Sequence, residues 1–214
     1  MKQDLSDKRK DYSKNYIDFS SIPDNPIKLF SNWFSEVSES KLIDEPYAMN
    51  LANLDEDGFP RSRVVLLKEF NSDGFVFYTN YESQKGKALE TNPNVCLSFF
   101  WDKLEQQVII RGRAEKIAPI QSDAYFHRRP LESQVGALVS AQSRVIAFDK
   151  NLESEVEKKI SELKGQEVPR PDYWGGYLVR PVEIEFWQGR PSRLHDRLCY
   201  RLEGDEWKKV RLAP

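Results

Sequence analysis

The chain predicts an α+β protein built on an antiparallel β-barrel with helices set between its strands, and three observations lead there. After Pro46 the sequence breaks into short half-apolar runs punctuated by Asp57-Gly58 and Asp73-Gly74, and Asp-Gly between such runs is a strong hairpin signal. These hairpins build an antiparallel sheet, not a βαβ array, and many antiparallel strands with helices inserted between them suggest an α+β protein on a β-barrel. A length of 214 residues suffices for one sizeable core and is short for two. The expected organisation is a flexible N-terminal arm, residues 1–22, followed by a single domain, residues 23–214.

Each element has a local reason. The arm is polar, with the charged run Lys8-Arg9-Lys10-Asp11. Asp24-Asn25-Pro26 supplies a cap and a first-turn proline, and Ile27, Phe30, Trp33, Phe34 and Val37 recur at helical spacing. Strands follow over Tyr47 to Leu54, Arg61 to Phe70 and Phe75 to Thr79. Ser83 caps a short helix that Asn92-Pro93 stops. Val95 to Trp101 and Gln106 to Ile117 read as strands, Pro119 to Arg129 and Leu131 to Ser140 as helices divided at Pro130. Leu152, Val156, Ile160 and Leu163 mark an amphipathic helix ended by Gly165. Tyr177 onward returns to strands, closing with Trp207, Val210 and the terminal Arg-Leu-Ala-Pro.

Bulk properties exclude several functions. A formal net charge of -2 gives no global attraction to nucleic acid or to an anionic membrane, so any anion must be captured locally. No apolar run is long enough for a membrane span or a secretory signal, which points to a cytoplasmic protein. Cys96 and Cys199 lie far apart, and with His127 and His195 they show no metal-ligand spacing, so reduced thiols and no metal are expected. Dinucleotide and nucleotide-triphosphate loops are absent, and neither histidine lies in a nucleophile elbow.

The chemistry-bearing residues suggest phosphate capture. Arg63 and Lys68 share the run Arg-Val-Val-Leu-Leu-Lys, although an odd separation sends them to opposite faces of a regular strand. Ser83, Gln84 and Lys85 open a helix, where exposed N–H groups favour an anion. Tyr125 and Arg129 lie one helical turn apart, followed by Ser133. The stretch Val182 to Tyr200 is read as two strands joined at Gly189-Arg190-Pro191-Ser192, with Arg193, His195 and Arg197 on one face and Leu194 and Leu198 on the other. Such a row is either a solvated edge that prevents aggregation or part of a binding site. The helix residues likewise admit a plain surface role.

The segment Ile-Glu-Phe-Trp-Gln-Gly-Arg-Pro-Ser-Arg-Leu-His-Asp-Arg, residues 184–197, resembles the signature of the pyridoxamine 5'-phosphate oxidase family. The runs at 63–68, 77–80, 125–130, 133–137, 142–143 and 174–177, and the terminal Arg-Leu-Ala-Pro, resemble that family in its own order.

The resemblance implies an FMN-binding split β-barrel, antiparallel and Greek-key-like with flanking helices, working as a homodimer with FMN at the subunit interface. By similarity, FMN contacts fall on Arg63, Val64, Val65, Leu66, Leu67 and Lys68, then on Tyr78, Thr79, Gln84 and Lys85. Gln107, Gln142, Ser143, Trp187 and Arg197 complete them. Gln84 departs from the family's usual arginine, removing a bidentate cation. Substrate contacts are implied at Lys68, Tyr125, Arg129 and Ser133, at Arg193, Leu194 and His195, and at the arm residues Arg9, Lys10, Asp11 and Tyr12. Arg193 and His195 are the expected catalytic pair. The implied reaction is FMN-dependent oxidation of pyridoxamine 5'-phosphate and pyridoxine 5'-phosphate by O2 to pyridoxal 5'-phosphate, releasing H2O2, and ammonia from the amine. The alternatives are a non-catalytic FMN- or pyridoxal-phosphate-binding split barrel and a flavin reductase.

Overall fold

A computed structural model describes residues 3–214. Among these residues nine strands and five α-helices follow in the order α1 (Pro26–Ser40), β1 (Ala48–Leu54), β2 (Pro60–Leu66), β3 (Glu69–Asn71), β4 (Gly74–Asn80), α2 (Gln84–Thr91), β5 (Asn94–Trp101), β6 (Gln106–Lys116), α3 (Pro119–His127), α4 (Leu131–Val139), α5 (Leu152–Leu163), β7 (Trp174–Gln188), β8 (Asp196–Glu203) and β9 (Glu206–Leu212). Hydrogen bonding orders the strands β2-β1-β5-β6-β7-β4-β3, with β8 on β7 and β9 on β8. The chain divides into two compact units, one of residues up to 50, 97–111 and 181–214, the other of residues 51–96 and 112–180.

In the first unit α1 starts where its cap is: the Asn25 side chain accepts from the Ile27 N–H at 2.8 Å and Pro26 occupies the first turn. Its aromatic face is buried. Phe30 packs at ring-centroid distances of 5.3 Å from Phe99 and 6.2 Å from Trp101, and Trp33 meets Phe186 edge-on at 5.2 Å. β7 and β8 pair antiparallel from Glu183 opposite Arg201 to Gln188 opposite Asp196, and β9 continues on β8.

Strand pairing does not reach residues 189–195. Pro191 to Arg193 form a single 3-10 turn, closed by the Leu194 N–H donating to the Pro191 carbonyl at 3.1 Å, and Ser192 and Arg193 both adopt left-handed backbone, φ 56° and 61°. The expected strand row of Arg193, His195 and Arg197 is therefore corrected. Only Arg197 lies in a strand; the turn removes the two-residue alternation from its neighbours.

In the second unit β4 pairs antiparallel with β7, from Phe75 opposite Val179 to Asn80 opposite Trp174. Phe126, Val135, Val168 and Trp174 form a buried cluster against which Val156, Ile160 and Leu163 of α5 pack, so the amphipathic stripe read from the sequence is its contact face. The segment predicted as one strand over residues 61–70 is broken into β2 and β3 at Leu67-Lys68, where the Lys68 N–H donates to the Val76 carbonyl at 2.9 Å. That break restarts the alternation, and it resolves how Arg63 and Lys68 can line one cavity despite their odd separation.

Candidate functional site

The second unit carries an open cavity of about 830 Å³. Its wall draws on the end of β2, the Lys68 break, the end of β4, the start of α2, and the α3–α4 connection with α4. Four cationic side chains reach it, Arg63, Lys68, Lys85 and Arg129, and no carboxylate is among its lining residues.

Local chemistry fixes Lys85, Arg63 and Arg129. Ser83 caps α2 by accepting from the Gly86 N–H at 3.3 Å while donating to the Asn80 carbonyl at 2.7 Å. Gly86 is required because an added Cβ would sit 2.0 Å from the Tyr81 carbonyl oxygen, so the first turn of α2 can pack this closely only without a side chain. Lys85 is thereby turned inward, its Nζ donating to Thr79 Oγ1 at 2.5 Å and to Ser83 Oγ at 3.2 Å. Both partners are neutral. Burial, and then the nearby charge of Arg63, push the Lys85 ammonium down to about 8. Arg63 donates to Asn53 Oδ1 and, at 3.3 Å, to the Leu51 carbonyl; burial lowers its pKa, with the charge of Asp55 acting the other way.

Arg129 lies beyond α3. Its N–H donates to the Phe126 carbonyl at 3.1 Å and its own carbonyl accepts from Gln134 Nε2 at 2.8 Å. The guanidinium carbon lies 4.6 Å from the Trp174 ring centroid, and Nη1 is buried without a hydrogen-bond partner. Tyr78 and Tyr125 stack at 3.9 Å, and both rings run nearly parallel to Trp174. A cavity of this kind is short of negative charge. It is chemically suited to a phosphate dianion, which would restore hydrogen bonds and counter-charge at once.

The cavity brings together Arg63, Val64, Val65, Leu66, Lys68, Tyr78, Thr79, Lys85 and Gln142 from the expected FMN contacts, and Lys68, Tyr125, Arg129 and Ser133 from the expected substrate contacts. Leu67 is buried, and Ser143 is exposed with φ 71°. Gln84 lines a separate depression with Asp55, Glu56, Asp57 and Lys87. Sequence reasoning missed Asn80, Pro130, Gly136, Ala137, Ser140 and Trp174 as lining residues. The signal was available for all but Ser140, since Asn80, Pro130, Gly136, Ala137 and Trp174 stand in the family-like runs at 77–80, 125–130, 133–137 and 174–177.

The other expected residues belong to the first unit. His195 lies 4.7 Å, centroid to centroid, from Trp187, and its Nδ1 accepts from the Arg190 N–H at 3.0 Å. That bond assigns the neutral imidazole's proton to Nε2, and burial followed by the charge of Arg193 lowers the ring's pKa. Arg193 and Leu194 are exposed, and Gln107 is half-buried on β6. Arg197 is paired: its guanidinium grips both Glu185 oxygens at 2.7 and 3.0 Å and donates to the Ala213 carbonyl.

The arm residues Arg9 to Asp11 are exposed, while Tyr12 is half-buried, 5.7 Å from Trp187 and 5.9 Å from His195. Glu105, which sequence reasoning missed, holds this segment. Its carboxylate accepts from the Ser13 and Lys14 N–H groups at 2.8 and 3.1 Å and faces Lys10 Nζ at 3.5 Å. Nothing in the sequence marks a carboxylate 91 residues away as the acceptor for a backbone segment.

An antiparallel α+β sheet carrying a cleft lined by cations and by no carboxylate defines a fold and site suited to anions, and the solved structures that match it are split-barrel proteins. Two family models match the chain, one described as pyridoxamine 5'-phosphate oxidase over residues 39–160 and one as the pyridoxine 5'-phosphate oxidase C-terminal dimerisation region over residues 174–214. A pyridoxine/pyridoxamine 5'-phosphate oxidase of Flavobacterium psychrophilum is 52% identical over 213 residues, covering 99% of this chain and all of that protein. Among solved structures, PhzG of Burkholderia lata in complex with tetrahydrophenazine-1-carboxylic acid superposes with a TM-score of 0.88 at 27% identity, covering 96% of this chain and all of that one. A pyridoxamine 5'-phosphate oxidase-related, FMN-binding protein of Nostoc punctiforme shares the fold, with a TM-score of 0.72 at 14% identity over 91% of this chain and all of that one. The chain belongs to the pyridoxine/pyridoxamine 5'-phosphate oxidase family. No helix among the described residues is long and apolar enough to cross a membrane.

Proposed function

We propose that this protein oxidises pyridoxine 5'-phosphate and pyridoxamine 5'-phosphate to pyridoxal 5'-phosphate as an FMN-dependent homodimer with the flavin at the subunit interface. The observation that carries the reading is the convergence of Lys68, Tyr125, Arg129 and Ser133 on one cation-lined cavity whose wall also holds Arg63, Thr79 and Lys85. Two groups of phosphate donors suit a phosphorylated cofactor held beside a phosphorylated substrate. The overall reaction converts the alcohol and O2 to the aldehyde and H2O2; the amine also consumes water and releases ammonia.

The residues present fit a phosphate-bearing flavin. Lys85 lacks a charged partner among its hydrogen bonds and Arg129 Nη1 is a buried orphan donor, so anionic ligands restore what the fold leaves unsatisfied. Bound FMN supplies a two-electron acceptor that no side chain of this chain provides. Arg63, Lys85 and Thr79 bind its phosphate. Lys68, Tyr125, Arg129 and Ser133 hold the substrate phosphate and so convert its binding energy into alignment of C4'. In the first unit His195, with its proton on Nε2, offers a hydrogen-bond donor and Arg193 an exposed cation, chemistry that suits a phenolic oxygen. The left-handed Ser192-Arg193 pair, sparsely populated for non-glycine residues, is the kind of local strain that clusters at functional sites.

Two measurements test this. Mixing the FMN-loaded protein anaerobically with pyridoxine 5'-phosphate should bleach the flavin band; bleaching only with NAD(P)H would make it a reductase, and no bleaching with either a carrier. Arg129→Ala should raise KM for pyridoxine 5'-phosphate about 10- to 100-fold, the cost of a lost charge-assisted hydrogen bond. An unchanged KM removes Arg129 from the substrate site.

A further inference from the structure

An arginine that must grip a phosphate faces a physical conflict. Left alone its side chain carries about 2 kcal/mol of rotamer entropy, which binding has to overcome. A carboxylate would order it, but would also neutralise the charge and occupy the N–H groups the ligand needs. An aromatic face avoids both penalties, since it attracts the cation through the ring quadrupole and leaves the guanidinium edge free.

Arg129 is held in this second way. Its backbone is fixed at both ends by Phe126 and Gln134, and its guanidinium carbon stands 4.6 Å from the Trp174 ring centroid and 5.7 Å from that of Phe126. Nη1 has no hydrogen-bond partner. Trp174 is itself rigidly placed. It pairs with Asn80 across β4 and β7, its N–H donates to the Pro171 carbonyl at 2.9 Å, and its carbonyl accepts from Arg170 Nη1 at 2.6 Å. Arg170 is anchored in turn on Asp123 at 2.5 Å. Trp174 is 7% exposed, so the platform is part of the core.

We propose that Trp174 is a positioning residue for the oxidation: it presents the Arg129 guanidinium to the substrate phosphate through its ring face. The proposal rests on the reading of Arg129 as a phosphate clamp.

A double-mutant cycle on the FMN-loaded enzyme, read as KM and kcat for pyridoxine 5'-phosphate, tests it. Trp174→Leu removes the ring face and should raise KM about five- to tenfold with kcat within about twofold of wild type. Trp174→Phe retains a weaker face and should raise KM about two- to threefold. On an Arg129→Ala background neither substitution should change KM further, because the group it acts through is gone. Equal effects on both backgrounds would show that Trp174 acts independently of Arg129, and overturn the proposal. An unchanged KM in both Trp174 variants, with Arg129→Ala still impaired, would overturn it while leaving the phosphate clamp standing. An unchanged KM in Arg129→Ala would sink the clamp and the proposal together. Should Trp174→Leu fail to fold or to retain FMN, the Trp174→Phe arm decides by the same comparison.

Discussion

The cavity of the second unit and the His195 corner of the first are both rich in cations, and they treat charge in opposite ways. Around His195, Arg190 and Arg211 face Asp196 at 3.5 and 3.3 Å, Arg197 grips Glu185, and Lys10 faces Glu105. In the cavity Lys85 is bonded to two hydroxyls, Arg63 to an amide oxygen and a carbonyl, Arg129 to a ring face, and no carboxylate lines the wall. Charge paired in this way secures the fold, and the groups of that corner proposed to meet a ligand are His195 and the exposed Arg193 instead. Unpaired buried charge weakens the fold until an anion arrives, so its presence marks a binding function.

Lys85→Met should break this contrast most sharply. Loss of a buried ammonium should weaken FMN binding about 100-fold, yet raise the stability of the flavin-free protein by about 1–3 kcal/mol, since a desolvated charge is removed. Calorimetric FMN titration and denaturant unfolding of the apoprotein measure the two arms; a destabilised apoprotein would mean that the Thr79 and Ser83 bonds outweigh the desolvation.

The pH dependence follows from the same residue. Its ammonium is lowered to about 8 in the fold from 10.5, so the unfolded chain binds more protons between those values and apoprotein stability rises with pH across that window. An anion favours the protonated form, so FMN affinity should fall by up to about tenfold per pH unit above 8. A flat affinity from pH 7.5 to 9.5 would place the flavin phosphate elsewhere.

Arg197→Ala, on the paired side, should instead destabilise the protein by about 1–2 kcal/mol, because Glu185 keeps a half-buried carboxylate without its bidentate partner. Urea unfolding reads this directly, and an unchanged midpoint would recast Arg197 as a residue held for the flavin alone. Gln84→Arg should matter least. Its side chain opens on the depression formed with Asp55, Glu56 and Asp57, where a guanidinium finds local carboxylates, so FMN affinity should change by less than about threefold. A larger gain would return this position to the phosphate site.

Caps, turns and periodicity belong to neighbouring residues, and for that reason they were legible in the sequence. Asn25 and Ser83 cap the helices they were expected to cap, and Val156, Ile160 and Leu163 of the expected stripe pack against the Phe126 cluster. The order of the family-like runs likewise gave the fold class and most of the cavity wall. What failed was regularity across short irregular segments: the strand alternation imposed on residues 189–195, and the unbroken strand through Leu67-Lys68. Alternation is a property of continued pairing, and one proline or one missing ladder bond cancels it.

The sequence by itself determined which groups this protein can offer to a ligand. Only the tertiary structure decided which of its cations are neutralised and which are left bare. Arg197 and Arg129 are the same residue type in equally family-like runs; one meets Glu185 across β7 and β8, the other meets the face of Trp174. Charge compensation depends on distances between residues remote along the chain, and sequence spacing carries no record of those distances.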